Sequence, residues 1–328
     1  MLKPLISPKI VVVVPVILLV LTVWAVVYQF VTKEVTYEIM LSPINNIQNF
    51  LNHSKLITNI ISIFFTLLNT LLIYLLNNRF TIIRIRTFLP VFIYLLLISS
   101  WHQAHYLVFA HLALTFFILS LLIFFNMYRN RYSTEQAFLG TLLLVTGSLI
   151  LKPLILFVPI CWYNFIHYNC FSLRTFLASL FGVLAPWTIY LSINYIIQPD
   201  NQWFIAMFEV FEVQPVFFNR PPVELIYIGI LLFLSAIFLI EMFMLMKKDS
   251  LQTRAKLNIV LSFGLAAVIF SLFFHGQYQV FMPFVAFACA MLFSHPLTLK
   301  LSTFNTVLFI LFVLINLIYV GYNIMVKV

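Results

Sequence analysis

The chain has 328 residues, of which 63% are hydrophobic, 17% aromatic and only 8% charged. Soluble globular domains carry about 25% charged residues, so lipid must solvate much of this surface and a soluble globule is excluded. A net charge of +9 would suggest nucleic acid for a soluble domain; here membrane topology accounts for it, and no nucleic-acid partner is expected.

The first apolar run, 10–31, follows Lys3 and Lys9 and has about the 20 residues that a full span needs. No small-x-small cleavage site follows it, so the run is expected to stay as the first helix and to route the chain to a bacterial inner membrane. An outer segment, 32–55, comes next. Apolar runs at 56–76, 87–100 and 106–126 follow. Drawn as one element, 87–126 would be about 60 Å long, twice a hydrocarbon core of about 30 Å, so it must turn at Trp101-His102-Gln103-Ala104. Two short helices, 137–151 and 153–165, are expected to meet at Lys152-Pro153, where proline interrupts the pattern. The remaining helices are predicted at 175–197, 225–246, 257–274, 280–294 and 302–322, with a second outer segment at 198–224. The fold class is therefore all-α: a single polytopic transmembrane domain over 1–328 with about 11 transmembrane helices.

Thirteen of the eighteen Lys and Arg residues fall on one side of this scheme: Lys3, Lys9, Arg79, Arg84, Arg86, Arg129, Arg131, Arg174, Lys247, Lys248, Arg254, Lys256 and Lys300. Short basic loops resist translocation, which places that side, and the amino terminus, inside and the carboxyl terminus outside. A single crossing over 137–165 would move the group Lys247 to Lys256 outside, which is why two helices are drawn there. The two outer segments hold six of the nine acidic residues: Glu34, Glu38, Asp200, Glu209, Glu212 and Glu224.

Candidate functional residues concentrate on the outer side. Glu34 and Glu38 are spaced i, i+4, one face of a helix, where a carboxylate can act as general base towards a hydroxyl; a solvated interfacial turn would look the same. Lys152 at the helix junction and Arg220 before Pro221-Pro222 have the charge to meet a lipid phosphate, or to snorkel to water. His102 and His105, with His111 deeper, suggest a polar outer cleft. Their spacing supplies two metal ligands where a site needs three or four, and interfacial belt residues beside Trp101 and Tyr106 fit as well. No metal site and no cofactor are expected. Asn69 and Asn316 are candidates for bonds between helices. Gly140, Gly147 and Ser148 read as a packing strip, and Glu241 as one half of an interfacial ion pair with Lys247. No Asp, Lys or Arg sits convincingly at mid-membrane, where ion pathways usually place such groups. The cysteines Cys161, Cys170 and Cys289 form neither a disulfide framework nor a zinc pattern.

The stretches NHSKLITNIISIFFTLLNTLLIYLLNNRF and RTFLPVFIYLLLISSWHQAH resemble a family of uncharacterised polytopic inner-membrane proteins of Bacteroidota. More loosely, the order of elements from Leu41 to Asp200 and the Lys-Pro turn in LILKPLILFVPI resemble the GT-C superfold of polyprenyl-phosphate-sugar glycosyltransferases. That second resemblance implies a GT-C-like arrangement handling a lipid-linked glycan or envelope precursor. Glu34 or Glu38 would then stand where the group places an acidic residue in its first outer loop. The partners it implies are membrane lipids, among them polyprenyl phosphate or a polyprenyl-linked sugar. The chain departs from the pattern in having no Asp in 32–55. A non-catalytic subunit assisting a membrane glycosyltransferase or envelope assembly complex, and a transporter, are the alternatives.

Overall fold

The computed structural model describes residues 20–25, 55–197, 222–273, 279–299 and 302–327. Among them the chain is helical with short connections. Apolar side chains surround most helices on every side, and a backbone placed in lipid must satisfy its polar groups within each segment, which only a helix or a closed barrel does. The helices are α1 (Lys55–Phe80), α2 (Leu89–Ser100), α3 (Val108–Phe124), α4 (Thr134–Ile150), α5 (Val158–His167), α6 (Leu173–Ile197), α7 (Pro222–Met246), α8 (Leu251–Phe273), α9 (Met282–Leu299) and α10 (Thr303–Lys327). Residues 20–25 are also helical. Seven of the described helices are long and apolar enough to cross a membrane, and the protein is an all-α, multi-pass membrane protein.

The two disputed turns are as the sequence predicts. A 3-10 helix, His102–Tyr106, separates α2 from α3. Another, Lys152–Phe157, follows an extended Leu151 and leads into α5, and both it and α5 pack back on α4. Several boundaries move: the helix predicted from 257 begins at Leu251, those predicted to end at 294 and 322 run on to Leu299 and Lys327, and the one predicted from 153 is α-helical only from Val158. Ser250 explains the first of these, since its hydroxyl accepts the Thr253 N–H at 3.3 Å as an N-cap does.

The described residues gather into two compact units, the first holding 20–25, 73–106, 222–273, 279–299 and 302–327, the second 55–72 and 107–197. In the second, α4 is central and packs on α3 and α6. Gly140 and Gly147 face α3, where a Cβ on Gly140 would run into the Phe124 ring and one on Gly147 would lie 3.3 Å from Phe116, so the strip is a packing surface. Asn69 bridges α1 and α3: its Nδ2 donates to the His111 carbonyl at 2.9 Å and its Oδ1 accepts the Thr115 hydroxyl at 2.9 Å. In the first unit, α9 packs against α2, α7, α8 and α10.

Candidate functional site

The first unit contains a groove built by a shared neighbour. Helices α7 and α8 are joined by the short 247–250 turn, yet each packs on α9, so α9 forms a floor between two walls. Small residues make this possible: Gly264 of α8 lies so close to α9 that a Cβ there would sit 2.6 Å from the Ala288 Cβ. The resulting cavity is about 290 Å³, at the small end of ligand pockets. Its lining runs from Ile228 to Leu239 on α7 and from Leu261 to Leu272 on α8, with Ala288 and Cys289 in the floor. Eleven steps of about 1.5 Å make it about 16 Å long, half of a hydrocarbon core of about 30 Å. Its rim is open: Leu232 and Leu265, on opposite walls, are 51% and 50% exposed.

The two ends differ chemically. At one, Trp101 lines the groove and its ring lies 5.7 Å from Tyr227 and 6.0 Å from Tyr319. Those two tyrosines stack at 3.7 Å with 3° between planes. Behind them Asn316 Oδ1 accepts the Tyr227 hydroxyl at 2.8 Å and the Ser100 hydroxyl at 3.0 Å, tying α2, α7 and α10 together. This is the inter-helix role predicted for Asn316. Glu224, buried, lies one turn before Tyr227 on α7. At the other end Phe293 and Phe312 close the lining. Phe293 stacks on Phe238 at 4.7 Å and meets Phe312 edge-on at 6.0 Å.

Beyond that end a polar clasp holds the 81–88 turn to the 247–250 turn. Asp249, its side chain fully buried, pairs with Arg84 and lies 2.8 Å from Nε2 of the equally buried His295. Lys256 Nζ donates to the Phe80 carbonyl at 2.9 Å, at the end of α1, where helix carbonyls lack an intrahelical donor. Sequence reasoning treats these cations only as topology markers and passes over Asp249 and His295. The available signal is a lone acid within a basic run, KKDSLQTRAK.

The predicted site residues are distributed as follows. Glu34, Glu38 and Arg220 lie outside the described residues, as does the His102 side chain. Lys152, in the second unit, is buried, with 5% of its surface exposed. His105, in the first unit, is buried and stacks on Trp24 at 4.0 Å with 16° between planes; Trp24 Nε1 in turn donates to the Ser99 hydroxyl at 3.3 Å. What the structure gives His105 is an aromatic partner. Glu241 is buried and Lys247 exposed. Comparison with known proteins finds no matching family model, no similar curated protein and no similar solved structure.

Proposed function

We propose that the protein handles a lipid-linked glycan or related envelope precursor at the outer leaflet of a bacterial inner membrane. The observation that carries this reading is the groove: apolar, open at its rim, about half a bilayer deep, and flanked by hydroxyl, amide and carboxyl groups at the Trp101 end. With eleven spans and the amino terminus inside, as the distribution of basic residues argues, the Trp101 end faces outwards. A lipid drawn into the groove from that leaflet would keep its head near Trp101 and its chain among α7, α8 and α9.

A GT-C-like polyprenyl-phosphate-sugar transferase is the form of this function we favour. In such an enzyme the sequence offers Lys152 or Arg220 for the lipid phosphate and Glu34 or Glu38 as base: the carboxylate would take the proton from the acceptor hydroxyl as the sugar C1–O bond to the polyprenyl phosphate breaks, the glycosidic bond forms and polyprenyl phosphate leaves. Native mass spectrometry with polyprenyl phosphate, read beside complementation of a deletion strain, tests it. Lipid should be retained by the unaltered protein and weakened by Lys152→Ala or Arg220→Ala. Glu34→Gln and Glu38→Gln should leave binding intact while one of them abolishes complementation. Full complementation by both Glu variants would replace the transferase with a non-catalytic subunit that assists one, and no lipid retention at all would overturn the reading.

A further inference from the structure

We infer that the groove is a one-leaflet ruler: it takes a single hydrocarbon chain, and the Phe238–Phe293–Phe312 cluster sets how much of that chain is held. The inference rests on the lipid-handling reading above and adds to it the occupant and its limit.

Three observations point to a chain rather than a partner helix. The groove is about 16 Å long, whereas a docking transmembrane helix runs through about 20 residues, or 30 Å, and needs a contact surface along that length. At the Trp101 end, behind the ring that lines the groove, Tyr227, Ser100 and Asn316 form their buried bonds, whereas none of the clasp residues beyond the other end is part of the lining. At the opposite end the lining includes Phe293 and Phe312, whose rings pack against each other and against Phe238 at 4.7, 6.0 and 6.5 Å. A lipid has this polarity gradient, with a polar head and an apolar tail of one-leaflet reach. The walls suit a flexible chain: leucines line both sides, with Ile228 on α7 and Val268 on α8, while Ala288 and Cys289 keep the floor low and Gly264 brings the α8 wall close to it.

The stop should be visible in how affinity depends on chain length. Each methylene that enters an apolar site adds up to about fourfold in affinity. A chain that reaches the phenylalanines has nowhere further to go in the groove, so the gain should end there.

The experiment measures binding of two homologous series, n-alkyl phosphates and n-alkyl maltosides, to the full chain in nanodiscs. Both series should rise with length and break at the same length, because the stop lies at the tail and is indifferent to the head. Phe293→Ala should move the break to longer chains. Phe312→Ala, from a different helix, should do the same and serves where Phe293→Ala fails to fold. Val268→Trp fills the groove from the α8 wall and should cut affinity at least tenfold for every member. A steady rise through the longest chain, or a break unmoved in both alanine variants, would overturn the ruler while leaving lipid handling intact. No binding of either series would instead remove the lipid reading itself. If Val268→Trp changes the oligomeric mass and not lipid affinity, the groove seats a second copy of the chain, and the inference fails.

Discussion

The α3–α4–α6 packing of the second unit and the α7–α8–α9 packing of the first use the same device with opposite results. In both, a glycine lets two helices approach until a single added carbon would collide. Gly182 of α6 faces α4, where a Cβ would meet the Thr141 hydroxyl and lie 2.6 Å from the Phe138 carbonyl; Gly264 of α8 faces Ala288 of α9. Around α4 the contact is reinforced by Thr141, whose hydroxyl reaches the Ser179 carbonyl at 3.1 Å. Around α9 the two helices that share it lean away from each other and leave space. Close approach seals a bundle when the flanking helices fill the flanks, and opens a groove when two of them stand on one floor.

The largest expected effect separates tight from open glycines. Gly182→Leu must displace backbone, because the obstructing Phe138 carbonyl belongs to α4 and cannot rotate away. It should lose stability at or above the top of the range of about 1–3 kcal/mol typical of overpacking. Gly229, on α7, faces open space: a Cβ there would meet nothing within 4 Å. Gly229→Leu should therefore leave melting in detergent unchanged or slightly raised, since glycine is a poor helix former. Equal melting temperatures for the two variants would break the comparison.

Next in size is the clasp. Asp249→Asn leaves His295 buried beside a neutral amide and Arg84 without its carboxylate. Breaking a fully buried pair costs about 3–5 kcal/mol. Arg84 is 37% exposed, so water offsets part of that and about 2–3 kcal/mol is expected. Thermal unfolding in detergent gives the value. A loss no larger than that of Arg84→Gln would mean that the His295 contact contributes nothing.

The third effect is smaller. Asn316→Leu removes the acceptor shared by Tyr227 and Ser100. Hydrogen bonds between membrane helices average about 0.6 kcal/mol and reach about 1.7, so a loss of about 1 kcal/mol is expected. Because Tyr227 adjoins the Trp101 end of the groove, lipid affinity should fall with it. Unchanged affinity would show the cross-tie and the groove to be independent.

Helices are legible in the sequence because lipid simplifies the code: a run of apolar residues needs no periodicity to be a helix, and Lys152-Pro153 and Trp101-His102 stand out as interruptions. Asn316 and the Gly140–Gly147 strip are legible for the same reason, since polar and small residues are conspicuous against leucine and phenylalanine. The groove is not. Whether Ala288 and Cys289 lie under a packed helix or under open space depends on the angle between α7 and α8, and no local pattern encodes that angle. The Asp249 clasp joins positions 84, 249 and 295, and spacing along the chain cannot show that they meet.

The smallest effect compares the cysteines of the two regions. Cys170, in the connection before α6, is buried with its thiol 3.4 Å from the Phe165 carbonyl, and burial pushes the thiol up from 9.0 to about 12. Thiolate is the reactive form, so at pH 8 Cys170 should resist a small uncharged maleimide for as long as the fold persists. Cys289 is half-buried in the groove floor, where a reagent carried by detergent can enter from the rim. Intact-mass and peptide analysis should therefore find slow modification at Cys289, none at Cys170, and protection of Cys289 by a bound alkyl chain. The pH dependence has a definite sign. The folded state favours the neutral thiol, so its contribution to stability is complete below pH 9 and is lost as pH rises from 9 to about 12. Cys170 should remain unmodified between pH 7 and pH 9 and become reactive only as that window is entered. Labelling of Cys170 ahead of Cys289 at pH 8 would mean that the second unit is the more open of the two, and would invert the comparison.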